Sequence, residues 1–304
     1  MSPRSEGEEV RIGGRIVEIT HAEKVLFPGD GITKQELVEY YLRVAATMLP
    51  HLRGRPIVME RYPDGIHGQK IFQKNASPYY PDWIKVVSLP KKDGVVRHVV
   101  CDDAATLVYL ANQAVITPHT WLSRIDEANH PDQMIFDLDP SNGDFRVVCD
   151  AAKVLRERLM KQGLTSFVKT TGSRGLHVLV PLKRRADFDE VRAFARQIAE
   201  EFVQSDPEHL TTEVRKDKRA SRIFVDTARN AYAQTAAPAY AVRPRDGAPV
   251  AAPLQWNELD SRRLEPDLYT IRNVFDRLDK IGDPWKDLKR HAQALPRGMD
   301  SDGS

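Results

Sequence analysis

Met134-Ile135-Phe136-Asp137-Leu138-Asp139-Pro140 decides how this chain is read. An apolar run closing in Asp-x-Asp predicts a strand, and strand residues two apart point to one face, so Asp137 and Asp139 project side by side. Pro140 ends the strand just beyond them and sets the pair at a sheet rim. Two carboxylates so placed raise each other's pKa unless a cation lies between them. Arg222-Ile223-Phe224-Val225-Asp226 repeats the pattern of an apolar strand ending in an acid. Three such carboxylates suit a pair of hard divalent ions, which share bridging oxygens and keep positions open for phosphate and water. On the residues alone other readings stay open. One acid of an Asp-x-Asp can cap a helix while the other faces water, and Asp226 can be a strand-end turn residue.

A third segment, Thr170-Thr171-Gly172-Ser173-Arg174-Gly175-Leu176-His177, joins two strand-like runs, SFVKTT (166–171) and LHVLVPL (176–182). Its glycines, hydroxyls and arginine can present backbone N–H groups to an anion, with His177 placed to bond a phosphate oxygen. A polar hairpin tip and a core histidine are the plain alternatives. Around these motifs the pattern predicts helices over 144–162, ending at Gly163, and over 187–204. It also predicts a strand over 221–226, a Pro-rich loop at 238–253 and a helix near 266–280 within a closing segment 258–290. Upstream, RIVEIT (15–20) reads as a strand, and Thr33 caps an amphipathic helix running to about Leu49. Short strands fall within PIVMERY (56–62) and KIFQK (70–74). Asp103 caps a helix through AATLVYLANQAV (104–115), with Pro118 as its stop. This order predicts an α+β fold, a mixed or antiparallel sheet flanked by helices. Two closely packed lobes, 15–130 and 131–250, would enclose a cleft, between a mobile leader 1–14 and a mobile tail 296–304.

Composition narrows the function classes. The 304 residues carry 45 basic and 43 acidic side chains, and a net charge of +2 does not by itself imply nucleic acid. The distribution says more: Lys183–Arg185, then Lys216, Lys218, Arg219 and Arg222, then Arg243 and Arg245 flank the acidic motifs. Cys101 and Cys149 lie far apart and read as buried free thiols, which leaves no zinc ribbon. No GxxxxGK[ST], HExxH or GxSxG occurs. With no apolar run of roughly 20 residues and no signal-peptide core, the expected location is the cytoplasm.

Taken in order, FDLDP, TTGSRGLHVLVPL, KRASRIFVD and AYAVRPR resemble the polymerase domain of bacterial ligase D, a branch of the archaeo-eukaryotic primase superfamily that acts in non-homologous end joining. The resemblance runs from ITHAEKVLFP at residue 19 to the closing segment. It implies a primase-polymerase fold and a nucleotidyl transferase that extends primer 3′ ends at double-strand breaks and gaps. Asp137, Asp139 and Asp226 would be the metal-binding catalytic acids, holding two Mg²⁺ or Mn²⁺ ions. Thr171, Gly172, Ser173, Arg174, His177, Arg219, Arg229 and Arg243 would surround the nucleotide. Lys24, Lys34, Arg61, Phe72, Lys74 and His119 would meet DNA, with Lys24 and Lys34 on a 5′-phosphate. Thr171 stands where the family commonly has serine, Arg174 where it often has lysine, and Ile71-Phe72 where two phenylalanines can occur. The resemblance further implies preference for ribonucleotides, Ku and a DNA ligase as partners, a monomer able to pair across DNA ends, and association with a prokaryotic nucleoid. A primase starting chains de novo, a metal-dependent nuclease and a non-catalytic end-binding module are the rival readings.

Overall fold

In the computed structural model, which describes residues 8–141 and 144–296, β-branched runs form short strands and the 3.6-periodic segments form helices. The first half comprises β1 (Glu8–Ile12), β2 (Arg15–Ile19), β3 (Val25–Phe27), β4 (Ile32–Thr33), α1 (Lys34–Leu52), β5 (Pro56–Arg61), β6 (Ile71–Gln73), β7 (Val86–Lys91), β8 (Gly94–Val100), α2 (Ala104–Asn112) and β9 (Val115–Trp121). The second comprises β10 (Gln133–Asp139), α3 (Phe145–Lys161), β11 (Phe167–Thr170), β12 (Leu176–Pro181), α4 (Phe188–Ser205), β13 (Leu210–Thr211), β14 (Ile223–Asp226), β15 (Thr235–Ala236), β16 (Pro253–Leu254) and α5 (Val274–Ile281).

Two sheets result. One runs β15-β9-β5-β8-β7, with β6 also on β5; the other runs β13-β14-β10-β12-β11-β16, antiparallel except for β13 beside β14. The period of two sorts β10 between two cores. Met134, Phe136 and Leu138 pack with Phe145, Leu155, Ile198 and Phe202 of α3 and α4. Ile135, on the opposite face, joins the core built on α1, α2 and the first sheet. The odd-numbered face of β10, which also carries Asp137 and Asp139, therefore looks toward the first sheet. Thr33 caps α1 in a reciprocal box with Glu36, and Asp103 caps α2 through the Thr106 N–H while pairing with Arg15. Both cysteines are buried and free. No helix among the described residues is long and apolar enough to cross a membrane.

Four expectations are corrected. The irregular leader is shorter than Gly14, because Glu8–Ile12 pairs with Arg15–Ile19 as a hairpin; residues 1–7, like 297–304 of the expected tail, lie outside the described residues. The second helix stops at Asn112, whose side chain is bound to Thr20 N and Glu18 O. Ala114 then turns at φ 56, and Val115-Ile116-Thr117 start a strand. Pro118 sits inside that strand rather than ending a helix. Its neighbour two residues back, Ile116, turns its carbonyl to Tyr41, and on that side β15 pairs only with Thr120 and Trp121, so no ladder bond is lost. The closing helix is short, since Tyr269 and Thr270 pair in extended conformation with Val250 and Pro249 and Gly282 ends α5 at φ 68.

Candidate active site

β10 is flanked by β14 and β12, and the register fixes what lies across it. Asp226 stands opposite Asp137 on one side and His177 opposite it on the other, with Lys169 of β11 opposite His177. Four strands thus contribute one row, Asp226–Asp137–His177–Lys169, with Asp139 two residues nearer the rim. The first sheet supplies the facing wall. A cleft of about 290 Å³ is lined by Asp137, Asp139, Thr171, Ser173, His177, Arg229 and Arg243 on one side, and by Glu60, Lys70, Phe72 and His119 on the other.

Electrostatic frustration is concentrated here. Burial, and then the charges of Asp137 and Asp226, push Asp139 up to about 7. Burial alone would raise Asp137 as well, but His177, Arg229 and Lys169 hold it below the usual carboxylate range. Burial and the nearby Lys169 bring His177 down to about 4, and burial with Arg243 brings Lys169 to about 7. His177 Nε2 lies 3.4 Å from Asp137 Oδ1, yet that oxygen makes no hydrogen bond; the buried Arg243 Nε and His177 Nδ1 also lack partners. An orphaned acceptor and an orphaned guanidinium N–H in one cleft fit a ligand pair of opposite character, a cation and a phosphate. Among the described residues, no three candidate ligands are gathered round a single point as they stand. Asp226 Oδ1 accepts from the Ala228 N–H at 2.7 Å.

The turn between β11 and β12 is shaped by steric need. At Gly175 a Cβ would fall 1.9 Å from the Leu138 carbonyl oxygen, and at Gly172 (φ +64) 2.7 Å from Arg243 Cγ. The expected display of amides to an anion is corrected in part: the Arg174 and Gly175 N–H groups donate to Thr171 Oγ1, while Ser173 accepts from Arg245.

Other expected residues scatter. Arg174 lines an adjoining hollow with Asp139, Lys216 and Arg219. Arg219 stacks on Phe224 at 3.6 Å and donates to the carbonyls of Glu213 and Val214, which folds its own loop. Lys24 and Lys34 are brought together by a backbone bond from Lys34 N to Lys24 O. Lys24 pairs with Asp64 in solvent, and among the described residues the Lys34 ammonium reaches Thr20 Oγ1 and the Asn112 carbonyl, at 3.5 and 3.4 Å. Arg61 is tied to the Gln113 carbonyl and Gln73. Lys74 is exposed on the first sheet, outside the cleft. Phe72 is 56% exposed, faces His119 at 6.0 Å and lies under the Lys70 ammonium at 4.3 Å.

Three residues of this site escaped the sequence reading, Glu60, Lys70 and Lys169. Glu60 is buried and accepts from His119, Lys70 and Tyr62. Lys169 is the single charge of its strand and Glu60 closes an apolar run beside Arg61, which was the available signal.

A mostly antiparallel sheet backed by two helices, with acids and phosphate-seeking cations sharing its open face, defines the primase-polymerase class of nucleotidyl transferases. The family model described as LigD, primase-polymerase domain, matches residues 33–285, and the chain belongs to that family. It is 34% identical over 282 residues to the bifunctional non-homologous end joining protein LigD of Bacillus subtilis, covering 92% of this chain and 45% of that protein. Against the multifunctional non-homologous end joining protein LigD of Mycolicibacterium smegmatis the identity is 33% over 272 residues, covering 88% and 35%. The chain thus spans less than half the length of these relatives. Among solved structures, it is similar to the polymerase domain from Mycobacterium tuberculosis ligase D in complex with DNA. There the TM-score is 0.85 at 30% identity, over 91% of this chain and 99% of that one.

Proposed function

We propose that the chain is an end-joining polymerase, adding nucleotides, by preference ribonucleotides, to primer 3′ ends at DNA breaks and gaps. The observation that carries this reading is the presence of Asp137 and Asp139 on one strand face together with the unpartnered Arg243 Nε in the same cleft. Asp137, Asp139 and Asp226 would hold two divalent ions, Mg²⁺ or Mn²⁺. When bound, such ions make the primer hydroxyl more acidic and neutralise the departing pyrophosphate.

The chain's own side chains account for the rest. Arg243 and Arg229 meet the triphosphate with charge-assisted hydrogen bonds. Thr171 already accepts two backbone N–H groups and retains one proton to donate to a phosphate oxygen. His177, neutral at pH 7, can bond a phosphate oxygen without adding charge to a row that already holds Lys169. Phe72, exposed beside His119, offers a base an aromatic face that Ile71 does not. Lys24 and Lys34 take a downstream 5′-phosphate, for which the loosely held Lys34 ammonium is suited. The DNA bound in the Mycobacterium tuberculosis relative and the end-joining names of the others support this reading. Ku and a DNA ligase are the implied partners, the protein working as a monomer that pairs across two ends, in the cytoplasm at the nucleoid.

Primer extension on a gapped duplex, with and without a 5′-phosphate, in Mn²⁺ and with ribo- or deoxynucleotides, tests the proposal. Phosphate-stimulated, ribonucleotide-favouring extension that vanishes in Asp226→Ala supports it. New chains made from free nucleotides would move the assignment to a primase, and shortened DNA would move it to a nuclease.

A further inference from the structure

At the opposite end of the second sheet from the acidic rim, where Gln133 of β10 pairs with Pro181 of β12, lies another cavity of about 490 Å³, larger than the cleft. Its walls come from four separate pieces of chain, one of them the 124–133 segment with Arg124 and Asp132. The end of α1 and the segment after it supply His51 and Arg55, the exit of β12 supplies Lys183 and Arg184, and the 285–292 segment supplies Lys286 and Lys289. The pieces are locked together. Gln293 N donates to the Pro181 carbonyl and Lys183 N to the Gln293 carbonyl, and the buried Trp285 anchors the last segment through Val168 O.

The charge around this cavity does not balance. Asp132 is the one carboxylate in its lining, and it is taken by Arg55 at 2.6 Å and Arg124 at 2.7 Å. The carboxylates nearby are engaged too: Asp126 and Glu127 with Arg184, Asp283 with His51 and Tyr240, and Asp287 with Arg290. Even the carbonyl of His51 at the end of α1 is capped by Arg55 Nε. Among the described residues, the ammonium groups of Lys183, Lys286 and Lys289 make no ion pair within 4.0 Å. Lys289 is held below its ordinary value by burial and then by the Arg124 guanidinium, with Arg55 adding to the effect. Three lysines without an ion pair, lining one cavity whose acids are all engaged, describe a receptor for a multiply charged anion.

We propose that this cavity binds a small polyphosphate anion, separately from the candidate active site. Lysines from separate pieces of chain set round one hollow suit a compact anion, whereas a nucleic-acid backbone needs a groove that tracks it. The inference does not depend on the polymerase reading.

The test is calorimetric titration of the full chain with inorganic pyrophosphate in EDTA, so that no divalent ion recruits the anion to the acidic cleft. Binding that weakens with salt is expected, with affinity lowered about tenfold or more in Lys286→Ala/Lys289→Ala and further in Lys286→Glu. Arg243→Ala should leave it unchanged. Both lysines are exposed, so the variants should melt like the parent, and primer extension should be unaffected. Absence of binding, equal affinity in the lysine variants, or loss in Arg243→Ala would overturn the assignment. Displacement of pyrophosphate by a phosphorylated duplex in the parent, lost in the lysine variants, would overturn the compact-anion choice in favour of nucleic acid.

Discussion

Replacing Gly175 by alanine adds one methyl group at the point where β12 leaves the turn to pair with β10. Gly175 has no positive φ, so the backbone accepts alanine and the whole effect is steric. The new Cβ would lie 1.9 Å from the Leu138 carbonyl oxygen, 2.9 Å from the carbon that bears it and 3.0 Å from Asp139 Oδ1. The obstruction is backbone and cannot rotate away, so β10 and the turn must part by about 1 Å, a strain of roughly 1–3 kcal/mol in an otherwise well-packed sheet. The displaced residues are Leu138 and Asp139 themselves. A misplacement of about 1 Å in a catalytic group costs on the order of 100-fold in rate. Gly175→Ala should therefore lose about that factor in primer-extension kcat/KM while its urea midpoint shows a loss of only a few kcal/mol. A variant as stable and as active as the parent would refute the claim that the turn fixes the rim aspartate. Full activity with the expected loss of stability would show that Asp139 need not be held in place.

Three further outcomes are expected. Mn²⁺ should raise the melting temperature of the parent by binding the native state, and a comparable rise in Asp137→Ala/Asp139→Ala would place the ion elsewhere. Burial would raise the Glu60 carboxyl, but hydrogen bonds and charge from His119 and Lys70 hold it at about 2. Its stabilisation is therefore complete above its ordinary value near 4.5 and fades as pH falls toward 2. Melting temperature should drop more steeply over that window in the parent than in Glu60→Gln, and parallel curves would rule out the linkage. Asp137→Ala should abolish extension yet keep DNA affinity, whereas Lys24→Ala/Lys34→Ala should lose the preference for a 5′-phosphorylated gap; equal loss of DNA binding in both would collapse that division.

Local patterns carried much of the sequence reading. The alternation in MIFDLD gave a strand with both acids on one face, and Thr33 and Asp103 marked helix starts where the structure has them as caps. What stayed hidden depends on pairing between distant strands. Nothing local says that His177 and Asp226 sit on either side of Asp137, because register is set by the whole sheet. Glu60 and His119 meet only because β5 and β9 are neighbours, 59 residues apart in sequence. The overlong second helix followed from apolar periodicity that continues through Val115 and Ile116, where tertiary pairing overrode helical spacing. The resemblance set Arg219 among the basic residues around the nucleotide, and nothing local told that Phe224 and two carbonyls also hold its guanidinium.

The chain passes between its two sheets more than once, and this governs the order in which it can fold during synthesis. β9 is complete at Trp121, yet its neighbour β15 is Thr235–Ala236. Tyr40, Tyr41 and Thr117 find their hydrogen-bond partners at Tyr240 and Val242. At roughly 5–20 residues per second, the 120 or so residues between these points take about 6–24 s to make. Through that interval the first sheet carries an open edge, and the Tyr40 and Thr117 hydroxyls await the carbonyls they bind, so the nascent chain needs protection until residues 235–242 emerge. A cut near residue 131 should therefore yield two pieces that aggregate rather than two lobes that fold.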